Sequence, residues 1–293
     1  MGYLPKNYFI MILVADSGST KTNWCLLKPK EEVFYFDTEG YNPYFVDSPY
    51  IVESLNKQLP KMVNHDLVSD IHFYGAGCFE YKVDIIKHAL LSIFPHAVVH
   101  IGLDLLGSAR SVLGDKPGFA AILGTGTNSC IYDGEKITEN IDSLGYLLGD
   151  EGSGYYIGRK LLGDYIRDYM PATVKEAFYE VYGLTREEIM ERVYTEKLPN
   201  RFCSSFTLFI SECHADPTYT NNLVKASFVD FFESLVTKYK NYHEYNFNCT
   251  GSIANAFKEI LAETAAQYKM EMGVILKTPI EGLALYHLPE NYK

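Results

Sequence analysis

ILVADSGSTKTNWCLL, residues 12–27, reads as a buried strand, a turn of small polar residues and a second strand. AAILGTGTNSCIYDG, residues 120–134, reads the same way, with a cysteine at a similar place in its second strand. This weak internal repeat predicts two similar domains facing each other with their turns opposed. Gly114-Asp115-Lys116-Pro117-Gly118 separates the copies. Gly and Pro punctuate it and almost nothing in it is apolar, so it is the expected linker.

Around the first copy, residues 33–36, 71–74 and 97–101 have strand composition. Residues 49–63, with Ser48 as the expected N-cap, read as a helix. So do residues 81–94, with apolar positions at 83, 86, 90 and 94. After the second copy, the Asp133-Gly134 turn leads into a strand over 136–141. Residues 151–245 are mostly helical in pattern and rich in Tyr and Phe. Then come a strand at 246–249, a helix at 253–268, a strand at 270–275 and a short helix at 279–286. The expected fold is α/β, with mixed sheets covered by helices. The expected domains are 11–116 and 117–293, the second with a helical insertion at about 155–245. Residues 1–10 are expected to be an extension outside the fold.

The 293 residues suggest about two domains. A chain that is 47% hydrophobic and 22% charged is not expected to be disordered. Its longest apolar run, residues 9–15, is far short of the ~20 residues that cross a bilayer. Asp16, Ser17 and Gly18 follow that run at once, unlike a cleavable signal. Net charge is −11, from 26 basic and 37 acidic residues. That excludes the overall electrostatic footprint of a nucleic-acid or anionic-membrane binder. An anionic ligand would bind through local backbone donors instead. The six cysteines, at 25, 78, 130, 203, 213 and 249, form no CxxC pair. They read as reduced core thiols of a cytoplasmic protein rather than ligands of zinc or an iron–sulfur cluster. The eight histidines contain no HExxH, and His96 and His100 lie in a strand-like stretch.

Five stretches carry candidate chemistry. In Asp16-Ser17-Gly18-Ser19-Thr20-Lys21-Thr22, small residues let backbone N–H groups approach a polyphosphate. Asp16 could hold the waters of Mg²⁺, and Lys21 could touch a phosphate. Thr20 stands where a P-loop needs glycine, so this is not one, and taken alone the stretch also reads as a polar hairpin. Gly124-Thr125-Gly126-Thr127-Asn128 fails the GxGxxG test and gains weight as the repeat of the first turn. Asp104, in Gly102-Leu103-Asp104-Leu105, follows a strand and opens a short helix. It reads either as a helix cap or as a general base. Gly145 to Gly154 (GYLLGDEGSG) holds Asp150 and Glu151 among four glycines; carboxylates there suit sugar hydroxyls, and helix capping is the alternative. Cys249-Thr250-Gly251-Ser252 ends a strand and starts a helix, suiting a nucleotide or simply a tight turn.

In this order the segments resemble the actin/hexokinase/Hsp70-type ATPase superfamily. More narrowly they resemble the BadF/BadG/BcrA/BcrD-type family, in its N-acetylglucosamine kinase branch. The likeness spans roughly residues 11–285 and is densest over 104–154. It implies two actin-like (ribonuclease H-like) domains, each a mixed sheet flanked by helices, with a central cleft. It implies that Gly18, Ser19, Thr20 and Lys21 of the first turn and Gly124, Thr125, Gly126 and Thr127 of the second hold the β- and γ-phosphates of ATP. Gly251 and Ser252 would hold the adenosine, Asp16 hydrated Mg²⁺, and Asp104 would be the catalytic base. Asn42 (in Gly40-Tyr41-Asn42-Pro43), Asn128 and Asp150 would contact the sugar, with Gly75, Gly77 and Gly145 lining the same site. The first turn lacks a glycine that is commoner at this place. The cysteine-rich zinc motif of ROK-type kinases is absent, and so is the Asn-x-x-Cys-Ala-Ala-Gly-Thr-Gly pattern of iron–sulfur dehydratase activators.

The expectation is therefore an ATP-dependent kinase acting on the 6-hydroxyl of an amino sugar, N-acetylglucosamine first, with domain closure excluding water. The alternative is an ATPase that couples hydrolysis to activation of a partner protein, of the 2-hydroxyacyl-CoA dehydratase activator type. A third reading is a sensor that has lost turnover. Expected ligands are ATP, Mg²⁺ and an amino sugar, with no nucleic acid and no membrane; a homodimer stays open.

Overall fold

The computed structural model describes residues 11–18 and 20–289. The expected extension, residues 1–10, and Ser19 lie outside them. In chain order the first elements are β1 (Met11–Ser17), β2 (Lys21–Leu27), β3 (Phe34–Glu39), α1 (Ser48–Gln58), β4 (Val68–Gly75), α2 (Val83–Ile93), β5 (Val98–Leu103) and α3 (Asp104–Leu113). The strands form a sheet in the order β3-β2-β1-β4-β5. β1 pairs antiparallel with β2 and parallel with β4.

The second copy starts with β6 (Gly118–Leu123), β7 (Thr127–Tyr132) and β8 (Ile137–Glu139). Seven helices follow: α4 (Gly145–Leu148), α5 (Gly154–Ile166), α6 (Ala172–Tyr182), α7 (Arg186–Thr195), α8 (Pro199–Ser205), α9 (Thr207–Glu212) and α10 (Pro217–Ser234). Then come β9 (Phe247–Thr250), α11 (Ser252–Ala256), α12 (Lys258–Gln267) and β10 (Met272–Leu276). The sheet order is β10-β9-β6-β7-β8, and read from the other edge it repeats the first sheet strand for strand. β6 pairs antiparallel with β7 and parallel with β9, as β1 does with β2 and β4. The helical stretch α4–α10 occupies the place that α1 alone takes in the first copy.

The described residues divide into two units: 11–114 with 279–289, and 115–278. The last helix, α13 (Ile280–His287), therefore packs with the first unit, although the sequence pattern attaches it to the second domain. The strand alternation explains why it can. Leu13 and Ala15 of β1 face a core with Ile51 and Leu55 of α1 and with Ile86 and Leu90 of α2. Ile12 and Val14 face the other way, onto Ile280, Leu283 and Ala284. α13 covers that face of β1 together with Leu106 of α3. Tyr74 donates to or accepts from His287 at 2.8 Å, and the His72 and His287 rings stack at 3.8 Å. Burial pushes both imidazoles down, His72 to about 4 and His287 to about 3, so both are neutral near pH 7.

The helices of the second unit enclose an aromatic core of Phe178, Phe206, Phe209, Phe228, Phe231 and Phe232. Several local boundaries differ from expectation, the strand expected over 136–141 being only Ile137–Glu139. Asp47 rather than Ser48 caps α1, accepting from the Tyr50 amide at 2.9 Å; Ser48 instead donates to the Ile85 carbonyl. α1 ends at Gln58, five residues early. The helix expected over 253–268 breaks at Phe257 into α11 and α12. Among the described residues no helix is long and apolar enough to cross a membrane.

Leu283 is fully buried in the first unit's second core. Leu283→Ala should cost about 2–5 kcal/mol, read as a lower Tm, with early proteolysis in the first unit rather than the second. An unchanged Tm would mean that α13 contributes little to its seat.

Candidate active site

In the first unit the polar chemistry gathers where β1 ends. The Gly18 amide donates to the Lys21 carbonyl at 2.9 Å and closes the β1–β2 hairpin. Beneath it runs a buried chain of hydrogen bonds. The Tyr41 amide donates to Ser17 Oγ at 3.1 Å, Ser17 and Thr22 share a bond of 2.7 Å, and Thr22 donates to the Glu39 carbonyl at 2.9 Å. The Gly40 amide donates to the Thr20 carbonyl at 3.0 Å, and the Ala76 amide to the Ser17 carbonyl at 2.8 Å. The loop bearing Asn42 and the Gly75–Gly77 turn are thus both tied to the hairpin. Gly77 has φ +78°, and a Cβ there would lie 2.6 Å from Asn42 Oδ1, so a side chain at 77 would displace Asn42. Ser17, Thr22 and Tyr41 do the tying; the sequence motifs contain all three, but none is among the expected site residues. Their signal was a cluster of small hydroxyls on both sides of the turn.

Asp16 and Asp104 are both partly buried in this unit. Burial, and then the neighbouring Asp104 carboxylate, push Asp16 up to about 7; a hydrogen bond from Asn23 pulls it back. Burial also raises Asp104, against hydrogen bonds from backbone amides, including Leu105 N at 2.9 Å. The cap position of α3 belongs to Leu103, which makes no side-chain cap bond; Asp104 is the first helical residue. Among the described residues no group of three or more His, Cys, Asp or Glu side chains is arranged to hold a metal ion. Asp16 fits a cation that keeps most of its own waters, since its charge is crowded by a second carboxylate. Lys21 pairs with Asp37 at 3.3 Å on the neighbouring strand, and both are exposed. Thr20 is exposed at the hairpin tip.

The second unit repeats the device with other residues. The Gly124 amide donates to the Gly126 carbonyl at 3.0 Å in the β6–β7 turn. The Thr127 amide donates to Asp150 Oδ1 at 3.1 Å, and Thr127 Oγ1 donates to the Glu151 carbonyl at 2.8 Å. The amides of Gly154 and Tyr155 donate to the carbonyls of Gly124 and Thr125 at 2.7 and 3.1 Å. Asp150 is 7% exposed, and burial pushes it up to about 6. Ser143, unmarked by any motif, supplies a further hydrogen bond to its carboxylate. Ser153, not Asp150 or Glu151, caps α5, accepting from the Tyr156 amide at 3.1 Å. Gly251 has φ +123°, and a Cβ there would lie 2.1 Å from the Leu123 carbonyl oxygen. It brings Ser252 and the start of α11 beside the β6–β7 turn. Next to α11 a cavity of about 570 Å³ is lined by Cys213, Asn221, Asn255, Lys258 and Glu259, among others. Asn128 Oδ1 accepts from Ser129 N and Asn140 Nδ2 at 3.0 and 2.9 Å. Gly145 opens α4 with φ +64° and open space around it.

Known structures share this architecture. A crystal structure of a candidate N-acetylglucosamine kinase from Porphyromonas gingivalis is 40% identical, with 94% of this chain and 98% of that one covered and a TM-score of 0.90. A second candidate N-acetylglucosamine kinase, from Chromobacterium violaceum, is 14% identical over 96% of this chain and 99% of that one, with a TM-score of 0.68. A ROK family glucokinase from Streptomyces griseus, solved with glucose and AMPPNP, is 13% identical over 94% and 98%, with a TM-score of 0.52. The last two show the fold alone. No protein-family model and no curated protein matches the chain. Paired sheets of one topology, each with a polar turn after its central strand, define the actin/hexokinase/Hsp70 superfamily. Within it, the chain belongs to the BadF/BadG/BcrA/BcrD-type ATPase family, in the N-acetylglucosamine kinase branch.

The carboxylates set a pH signature. Asp16 has a folded value near 7 against 3.8 unfolded, so the folded state alone keeps that proton between those values. Stability from this group is full below about pH 4 and is lost as pH rises toward 7. Asp16→Asn should therefore raise the stability of the ligand-free protein at pH 8 by roughly 1–3 kcal/mol and change it little at pH 4. Paired thermal melts across that range measure the difference. A difference that does not vary with pH would remove the assigned proton.

Proposed function

We propose that this chain is an ATP-dependent sugar kinase. It transfers the γ-phosphoryl group of Mg·ATP to the 6-hydroxyl of an amino sugar, with N-acetylglucosamine the favoured acceptor. The observation that carries the reading is Asp104. It is a buried carboxylate raised above its ordinary range, at a helix start beside a second carboxylate and in the same unit as a backbone-lined hairpin. A group so placed is suited to take a proton from an attacking hydroxyl. The 40% identity to the Porphyromonas gingivalis protein supports the same reading and the choice of sugar.

The roles follow from the chemistry. The sugar O6 attacks the γ-phosphorus, the bond from that phosphorus to the β–γ bridging oxygen breaks, ADP leaves, and the hydroxyl proton passes to Asp104. The amides of Gly18, Gly124 and Thr127 brace the turns from within, while other backbone N–H groups of the β1–β2 turn, and those of Thr125 and Gly126 in the β6–β7 turn, hold the phosphates. The Gly251–Ser252 turn and the cavity beside α11 receive the nucleoside. Asn42, Asn128 and Asp150 orient the sugar hydroxyls, and Gly75, Gly77 and Gly145 leave room for the ring. Mg²⁺, held at Asp16 through its waters, would neutralise charge on the phosphates. We place the protein in the cytoplasm because its six cysteines are free thiols, which suits a reducing compartment.

ADP release with Mg·ATP should be stimulated by one amino sugar in a panel of N-acetylglucosamine, N-acetylmannosamine, glucosamine, glucose, N-acetylmuramic acid and no sugar. Release indifferent to every sugar would overturn the kinase reading in favour of an ATPase that acts on a partner protein. Asp104→Asn should lower kcat by about 10²–10⁴-fold while leaving the Kd for Mg·AMPPNP nearly unchanged. Retained turnover would defeat the assignment of the base.

A further inference from the structure

The last helix is seated by a chain of polar side chains that the candidate active site does not use. Arg110 of α3 donates to the Tyr74 hydroxyl oxygen at 2.7 Å, and that hydroxyl lies 2.8 Å from His287 Nε2. A guanidinium only donates, so Tyr74 keeps its own proton for His287, which accepts it as a neutral ring. The His287 ring stacks on His72 at 3.8 Å, and His72 stacks on His100 of β5 at 4.7 Å. His100 is exposed, so the stack runs from the seat of α13 to water. Asp70 and Tyr74 of β4, Arg110 of α3 and Tyr286 of α13 surround it. β1 and β2 present Ile12, Val14, Leu27 and the Cys25 thiol to the same core, and Tyr35 of β3 and Glu281 of α13 interact there too. Burial opposes a proton on His72 and His287, as do the neighbouring imidazoles and Arg110; Asp70 favours one on His72. The helix also bears on α3. Arg110 lies against the rings of Tyr74 and Tyr286 at 5.8 and 5.2 Å, and a Cβ at Gly282 would strike the Ser111 carbonyl oxygen at 2.3 Å.

We propose that α13 is a latch on the first unit that protons release. A proton on His287 puts an N–H where Tyr74 already directs its own proton. A proton on either buried ring also places positive charge beside Arg110. Both rings gain protons freely once α13 lifts away, because His287 leaves with the helix and His72 is uncovered by it. Acid therefore opens α13 ahead of the sheet beneath it. With α13 gone, α3 loses the packing on Arg110 and Ser111, and α3 is the helix that opens with Asp104. The latch belongs to the fold and does not depend on the kinase reading.

The test is hydrogen–deuterium exchange of the full chain between about pH 5.5 and 4.5, read as protection factors so that the intrinsic pH dependence of exchange cancels. Opening that takes up two protons should lower protection over residues 280–287 by up to about a hundred-fold across that unit of pH. His287→Gln keeps an oxygen to accept from Tyr74 and does not titrate. It and His72→Gln should each reduce the dependence to about ten-fold, and the double variant should show almost none. A merely structural effect of either substitution would shift protection equally at every pH and leave the dependence unchanged. The amides of residues 12–15 in β1 should stay protected throughout. A hundred-fold dependence retained in both single variants overturns the latch, and so does wild-type protection over 280–287 that does not vary with pH. Loss of protection in α13 and β1 by the same factor at each pH also overturns it, because the whole unit is then unfolding. Should the double variant fail to fold, the two single variants decide.

Discussion

A strand covered on both faces can carry polar chemistry only at its ends, and this constraint organises the molecule. Leu13 and Ala15 face one core while Ile12 and Val14 face another, so Asp16 is the first side chain of β1 that can meet water or a ligand. β6 is buried along nearly its whole length in the same way, and the Gly124–Thr127 turn follows it. In each unit the turn is then tied by buried hydrogen bonds to a neighbouring loop. Ser17, Thr22 and Tyr41 do this in the first unit, and Thr127 with Asp150 in the second. An ordered turn has already lost the conformational entropy that would otherwise oppose ligand binding.

That arrangement has an energetic cost, concentrated in three carboxylates. Asp16, Asp104 and Asp150 are all raised by burial, and Asp16 also by its acidic neighbour. A fold selected only for stability would place neutral side chains there. Asp16 and Asp104 sit at the ends of elements and Asp150 in the loop between α4 and α5, where a bound cation or hydroxyl could relieve them. The opposite strategy governs the seat of α13. There, His72 and His287 are kept neutral by burial and stacked on one another, and no ligand is needed to satisfy them.

Much of this was legible in the chain. The repeat between 12–27 and 120–134 anticipated two sheets of one topology, because apolar runs broken by Gly/Thr turns leave few other ways to bury both faces of a strand. Candidate residues that are near in sequence, such as Gly124 to Thr127, were readable as a unit. Less legible were contacts that depend on packing at a distance. Lys21 pairs with Asp37 because two antiparallel strands place them close together, and Phe257 breaks a helix that local propensity would have continued. Gly77 is required beside Asn42 only because the two loops meet.

The sequence by itself determined the α/β class, the doubled hairpin, the acidic character without a nucleic-acid footprint, and the family, since these rest on periodicity, composition and short-range spacing. Only the tertiary structure decided that α13 completes the first unit, that Ser17 and Tyr41 brace one turn and Asp150 the other, and that Asp16 holds a proton up to about 7. The physical reason is the same in each case. Burial and hydrogen-bond partners across tens or hundreds of residues are properties of packed surfaces, and no local pattern in the chain records which surfaces will meet.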